Sequence, residues 1–305
     1  MEMASRKKRS AVLSREHYDS VFNISNLPDI SNPLVIISGT AAAPKLENER
    51  KSEVITAFGK VKLRYGSISN RNVVLLDRHN STGRYRAPDS VPYRAHAVTI
   101  AALEPSAIVT LHALGADPGK LSRVGAVRKV FKSGRKPGEL AVIKGLLPGT
   151  ARSKTIFPKS ILDKVSAEEY NKGFLIHAGL PNSRLCGPSL KKKAVAAIRS
   201  MGGRFAKPIV VQTNTGPEYE SSHQVKAASK AGADAFAMTH APEVVALAQA
   251  LKARGSDAEL LSLGLVTNYP EGLAKELKHE EVAGVAEKSG KSLSRFFSSF
   301  VKELK

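Results

Sequence analysis

Seven short apolar runs punctuate the chain, each closed by polar or turn-forming residues. Leu34-Val35-Ile36-Ile37 passes into Ser38-Gly39-Thr40, and Val73-Val74-Leu75-Leu76 into Asp77-Arg78-His79. Ala107–Thr110 follows, then Leu140–Ile143 after the turn Lys136-Pro137-Gly138-Glu139. Ile209–Val211, Ala235–Met238 and Leu261–Val266 complete the set. Runs this short, without polar alternation, predict strands buried on both faces. Helical patterns lie between them. Pro242 stands at a favoured first helical position, and Gly255 closes that helix after Lys252 and Arg254. Leu293, Phe296, Phe297, Phe300 and Val301 follow the i, i+3, i+4, i+7, i+8 spacing of one buried helix face. Short strands alternating with helices predict an α/β domain with helices on both sheet faces. No internal repeat interrupts it. The expected division is a basic, flexible arm over residues 1–30 and one domain over 31–305.

Charge changes the picture. Lys and Arg number 47 against 27 acids, a net charge of +20. No acid falls between Asp117 and Glu139, nor between Glu169 and Glu218, and both windows are rich in Lys and Arg. Such surfaces attract anionic substrates and polyanions, RNA among them. Arg6-Lys7-Lys8-Arg9 reads as a disordered arm, a nuclear-type address or part of an organelle transit peptide. The lone Cys186 rules out an intrachain disulfide and a cysteine-built zinc site, and suits a reducing intracellular compartment, cytoplasmic or organellar. No apolar run approaches the ~20 residues of a membrane helix, so no membrane partner is expected.

Candidate chemistry sits where strands give way to loops or helices, a usual place for binding groups on α/β scaffolds. Gly216-Pro217-Glu218-Tyr219-Glu220-Ser221 and Met238-Thr239-His240-Ala241-Pro242-Glu243 supply acids, hydroxyls and a thioether that core packing does not explain. Thr40, Arg78-His79 and Thr239 each follow an apolar run. Arg offers a planar fork of charged donors, and hydroxyls add uncharged hydrogen bonds, a set suited to phosphate. Glu220 with Asn268 pairs a carboxylate with an amide, the complement of the N–H and carbonyl edge of a 6-oxopurine.

Together with His279, these runs resemble the nucleoside pocket of the trimeric purine nucleoside phosphorylase family, which includes the methylthioadenosine phosphorylases. The resemblance spans roughly Leu34 to the C-terminus and is strongest from Gly216 onward. It implies a three-layer α/β/α fold with a central mixed sheet. It also implies phosphorolysis of a purine nucleoside to free base and ribose 1-phosphate, with inorganic phosphate as co-substrate and no metal or organic cofactor. Thr40, Arg78, His79 and Thr239 match the phosphate-binding positions, and Glu220 and Asn268 the base-binding ones. Tyr219 and Met238 match the aromatic and thioether that pack on base and ribose. His279 matches the His that reaches the ribose 5′-hydroxyl, and Tyr93 resembles the sugar-side Tyr. Methylthioadenosine phosphorylases carry Asp at the position of Asn268, so Asn favours a 6-oxopurine. A homotrimer follows from the family alone.

Four departures stand beside these matches. Gly39-Thr40-Ala41-Ala42-Ala43 lacks the glycines of the family's phosphate loop. The Thr-Asn-Ala-x-Gly segment corresponds either to His112-Ala113-Leu114-Gly115 or to Arg123-Val124-Gly125-Ala126. Thr150 stands where an aromatic covers a neighbouring subunit's sugar. Residues 152–189 show little of the pattern. With the basic windows, these departures define an alternative: a catalytically degenerate subunit of an RNA–protein assembly such as an organellar ribosome.

Overall fold

The structure is a computed structural model. It describes residues 13–39, 43–116, 138–147, 149–151, 154–157, 159, 186–201, 208–216, 218–270 and 279–304. The first basic window, with the alternative segment Arg123–Ala126, falls almost wholly outside these residues, and the second falls partly outside them.

Nine strands form one mixed sheet. In chain order they are β1 (Leu34–Ser38), β2 (Glu47–Thr56), β3 (Gly59–Ile68), β4 (Arg71–Asp77), β5 (Ala107–Ala116), β6 (Leu140–Leu147), β7 (Ile209–Thr213), β8 (Ala235–Ala237) and β9 (Glu259–Asn268). Their spatial order is β2-β3-β4-β1-β5-β8-β7-β6-β9, and β9 also pairs with β5, so the last five strands close on themselves. β1 lies parallel to both β4 and β5, and β5 parallel to β9. The carboxyl ends of these four strands therefore point the same way.

Every apolar run expected as a strand is one, and β1 shows why. Val35 and Ile37 face a cluster built with Tyr18, Val98 and Leu247. Leu34 and Ile36 face a second cluster with Leu190, Phe296 and Phe300. Helices α1 (Arg15–Val21), α2 (Tyr93–Ala102) and α5 (His240–Arg254) supply the first layer; α3 (Pro188–Ser200) and α6 (His279–Glu303) supply the second. A shorter helix, α4 (Ser222–Lys230), follows β7. The five residues singled out on α6 are all fully buried.

Three expectations change. The β2–β3 hairpin was hidden because β2 is polar and mostly exposed, with only Val54 and Thr56 buried. Helix α5 begins at His240, so Pro242 is its third residue rather than its first. The expected arm is not free over its second half: Ser14 caps α1, and Tyr18 and Phe22 are fully buried against Phe157 and the α2 layer. No helix among the described residues is long and apolar enough to cross a membrane.

Candidate active site

A cavity of about 350 Å³ opens at the carboxyl ends of the parallel strands, where ligands settle in open α/β sheets. Arg78 and His79 reach it from the end of β4, Ala113 and Gly115 from β5, Met238 and Thr239 from the β8–α5 junction, and Asn268 from the end of β9. Tyr219 and Glu220 close it from the loop before α4. Seven of the sequence-derived candidates thus line one pocket: Arg78, His79, Tyr219, Glu220, Met238, Thr239 and Asn268. Of the two segments that match Thr-Asn-Ala-x-Gly, the first contributes Ala113 and Gly115 to the lining, and Arg123–Ala126 lies outside the described residues.

At one end Arg78 is almost wholly buried and held fork-to-fork by Glu243. Its Nε donates to Glu243 Oε2 at 2.6 Å and its Nη2 to Oε1 at 2.7 Å. Nη1 donates to the Leu111 carbonyl at 3.1 Å, so these contacts use three of the five guanidinium N–H donors. Burial opposes both charges, but each partner stabilises the other. The bidentate contact keeps Arg78 protonated above its ordinary range, while Glu243 is pushed up by burial and drawn back by Arg78. A Cβ on Gly39 would lie 2.5 Å from Arg78 Nη1 and 3.1 Å from His79 Nε2, so only glycine lets the β1 loop approach this pair. His79 Nδ1 lies 2.7 Å from the Arg86 carbonyl, which can only accept, so Nδ1 carries the proton.

Thr239 is the residue before α5, yet its hydroxyl does not cap that helix. It lies instead 3.0 Å from His112 Nδ1. His112 Nε2 lies 3.1 Å from Thr110 Oγ1 and 3.3 Å from Glu243 Oε1, and Thr110 donates to Ser262 at 3.2 Å. Thr110, His112 and Ser262 are fully buried, and a buried polar chain of this kind is expensive unless its groups are paired. Neither Glu243 nor His112 had drawn a role from the sequence. Glu243 closes the run Met238–Glu243 and His112 opens one of the two candidate segments, but neither is assigned a partner there.

At the other end Glu220 and Asn268 are both buried. Asn214 Nδ2 donates to Glu220 Oε1 at 3.0 Å. Burial raises the Glu220 carboxyl, and the Asn214 bond works in the opposite direction. Asn214 Oδ1 in turn accepts from the Thr150 amide at 3.3 Å, and Thr150 Oγ1 accepts from the Thr215 amide at 2.9 Å. Thr150 therefore steadies the Glu220 support. Asn268 Oδ1 accepts from the Thr267 hydroxyl at 2.8 Å, and its Nδ2 donates one hydrogen to the Tyr269 carbonyl at 3.1 Å. The side chain lies against Gly115, where a Cβ would come within 2.9 Å of Nδ2.

Three candidates remain. Tyr93 opens α2 and lines an adjoining pocket of about 300 Å³ that shares Pro88 and Met238 with the first; its hydroxyl donates to the Pro88 carbonyl at 2.7 Å. Thr40 lies outside the described residues. His279 begins α6, and its side chain is not among those described.

Comparison with known proteins decides the family. The sequence profile of the phosphorylase superfamily matches residues 33–302. The chain belongs to that superfamily. It is a distant member of its purine nucleoside and methylthioadenosine phosphorylase group. A 6-oxopurine nucleoside phosphorylase of Pyrococcus furiosus is 25% identical over 248 residues, covering 81% of this chain and 83% of the relative. A probable S-methyl-5′-thioinosine phosphorylase of Methanopyrus kandleri is 24% identical over 238 residues, 78% of this chain and 79% of the relative. Methylthioadenosine phosphorylase from Schistosoma mansoni, solved with adenine, shares the fold with a TM-score of 0.67 at 18% identity, over 89% of this chain and 91% of that one. The superfamily's α/β fold is thus the fold of this chain. Among the described residues no group of three or more His, Cys, Asp or Glu is arranged to hold a metal ion.

This superfamily member carries three buried histidines near Arg78. Burial first, and the Arg78 charge second, push His96 and His240 from 6.5 down to about 3, and His112 well below its ordinary value. Neither ring nitrogen of His240 has a hydrogen-bond partner among the described residues. The unfolded chain binds these protons near 6.5; the folded one does not until much lower pH. Stability is therefore full above about pH 6.5 and falls as pH drops towards 3, by about 1.4 kcal/mol per pH unit for each histidine. Melting curves between pH 7 and pH 4 are expected to show this loss, with a shallower slope for His240→Phe. A midpoint that does not move over that range would rule the account out.

Proposed function

We propose that the protein catalyses phosphorolysis of 6-oxopurine nucleosides, releasing hypoxanthine or guanine and ribose 1-phosphate. The observation that carries the substrate class is the state of Asn268. With Oδ1 engaged by Thr267 and one N–H by Tyr269, its remaining N–H is a donor, which suits a carbonyl at purine C6 and not an amine. Glu220, an acceptor when ionised, suits the adjacent N1–H. Arg78, His79 and Thr239, with Thr40, would hold phosphate at the opposite end, and Tyr219 and Met238 would pack on base and ribose. His279 and Tyr93 would serve the sugar side.

In the reaction a phosphate oxygen bonds to the anomeric carbon while the bond from that carbon to purine N9 breaks, its electron pair passing into the base. Negative charge grows on O6. The hydrogen bond from Asn268 to O6 tightens as this happens and lowers the barrier, because it favours the transition state over the bound substrate, while Glu220, an acceptor, would grip N1–H and orient the base. Inorganic phosphate is the co-substrate. The homotrimer of the family remains part of this proposal.

The +20 charge supports a second reading, a subunit of an RNA–protein assembly. A buried carboxylate and amide facing an open cavity have no use in that role, so the enzyme stands first. The test is a comparison of nucleosides under saturating phosphate. Inosine and guanosine are expected to exceed adenosine and methylthioadenosine in kcat/KM by at least about a hundredfold, since a mismatched hydrogen-bonding edge leaves buried groups unpaired. Equal rates, or a preference for the 6-amino compounds, would defeat the 6-oxopurine assignment.

A further inference from the structure

Tyr85 is the one large hydrophobic side chain among the described residues that is strongly exposed, at 61%. It is nonetheless held in place. The loop from Asp77 to Arg86 is closed by its own hydrogen bonds: Asp77 Oδ1 accepts from the His79 and Asn80 amides at 3.1 and 3.2 Å. The Arg86 amide donates to the His79 carbonyl at 2.8 Å, and the His79 ring donates back to the Arg86 carbonyl at 2.7 Å. This frame sets the Tyr85 ring parallel to the His79 imidazole, 5.4 Å between centroids at an interplanar angle of 17°. The ring also lines the cavity, as do Tyr219 and Glu220. Tyr85 thus stands over the span between the His79 end and the Glu220 end.

Resting on the phosphorylase reading, we propose that Tyr85 is a substrate-binding residue that covers the ribose of the bound nucleoside. One face of the phenol is occupied by His79. The remaining surface is apolar area left in water until a ligand fills the cavity, with a hydroxyl at its tip to meet a sugar hydroxyl. Covering a ring of this size is a favourable term available only to the complex. The residue binds and does not transfer protons, so its removal weakens nucleoside binding and leaves phosphate binding alone.

The experiment compares inosine binding, measured without phosphate, in the parent protein, Tyr85→Ala, Tyr85→Phe and Tyr85→Trp. Because the side chain is exposed, Tyr85→Ala should keep the parent melting temperature within a degree or two. Its dissociation constant for inosine is expected to rise on the order of tenfold, with the phosphate KM unchanged. Tyr85→Phe, which keeps the ring, should recover most of that loss. The chain has no tryptophan, so Tyr85→Trp places a sole reporter whose emission should change saturably with inosine. Unchanged binding in Tyr85→Ala, with a flat emission in Tyr85→Trp, overturns the proposal while leaving the phosphorylase reading intact. A parent protein that binds no nucleoside overturns both.

Discussion

Replacing Glu243 with alanine is expected to remove about 3–5 kcal/mol of stability and to abolish phosphorolysis together. The reason is the position of Arg78. Its side chain is 2% exposed and that of Glu243 1%, so water cannot replace the lost carboxylate. A guanidinium left unpaired in such a place carries its full desolvation penalty, and the melting midpoint should fall on the order of 10 °C. Removing both charges with apolar side chains, Arg78→Met with Glu243→Leu, should recover much of the stability, because no buried charge remains. It should not recover activity, because the phosphate-binding fork is gone. This pairing separates folding from function. A Glu243→Ala protein that melts with the parent and turns over normally would show that the ion pair holds nothing in place.

The second large effect belongs to the other end of the cavity. Glu220→Ala should lower kcat/KM for inosine by about 10- to 100-fold, the effect of losing one hydrogen bond between a charged group and the base. Phosphate affinity should stay at the parent value, since Glu220 and Arg78 occupy opposite ends. Asn268→Asp should lower activity on inosine and raise adenosine relative to it, because a carboxylate accepts from an exocyclic amine where the amide donated. Kinetics on both nucleosides check this directly. Full activity on inosine in Glu220→Ala would remove the carboxylate from the mechanism.

These two ends differ in how plainly the sequence displays them. Strands such as Leu34–Ser38 are legible because each is a continuous apolar run buried on both sides. The β2–β3 hairpin is not, because an edge hairpin with one wet face needs little apolar residue. Glu220 and Asn268 stand out at loop and strand ends, where polar residues are expected to act. The partner of Arg78 does not, since Glu243 lies 165 residues further along the chain. Only the folding of α5 across the end of β4 brings the two together. Thr239 illustrates the same limit from another side. Its place before a helix suggests a cap, and only the structure turns its hydroxyl towards His112. Tyr85 sits in a polar loop with no periodic pattern, so nothing in the sequence marks it as lining the cavity.

The central claim is that one cavity brings phosphate and a purine nucleoside together across the anomeric carbon. Incubation with inosine, with and without inorganic phosphate, followed by identification of the sugar product, tests it most directly. The account predicts hypoxanthine and ribose 1-phosphate in equal amounts, formed only when phosphate is present. Free ribose at the same rate without phosphate, or no hypoxanthine under either condition, would contradict it.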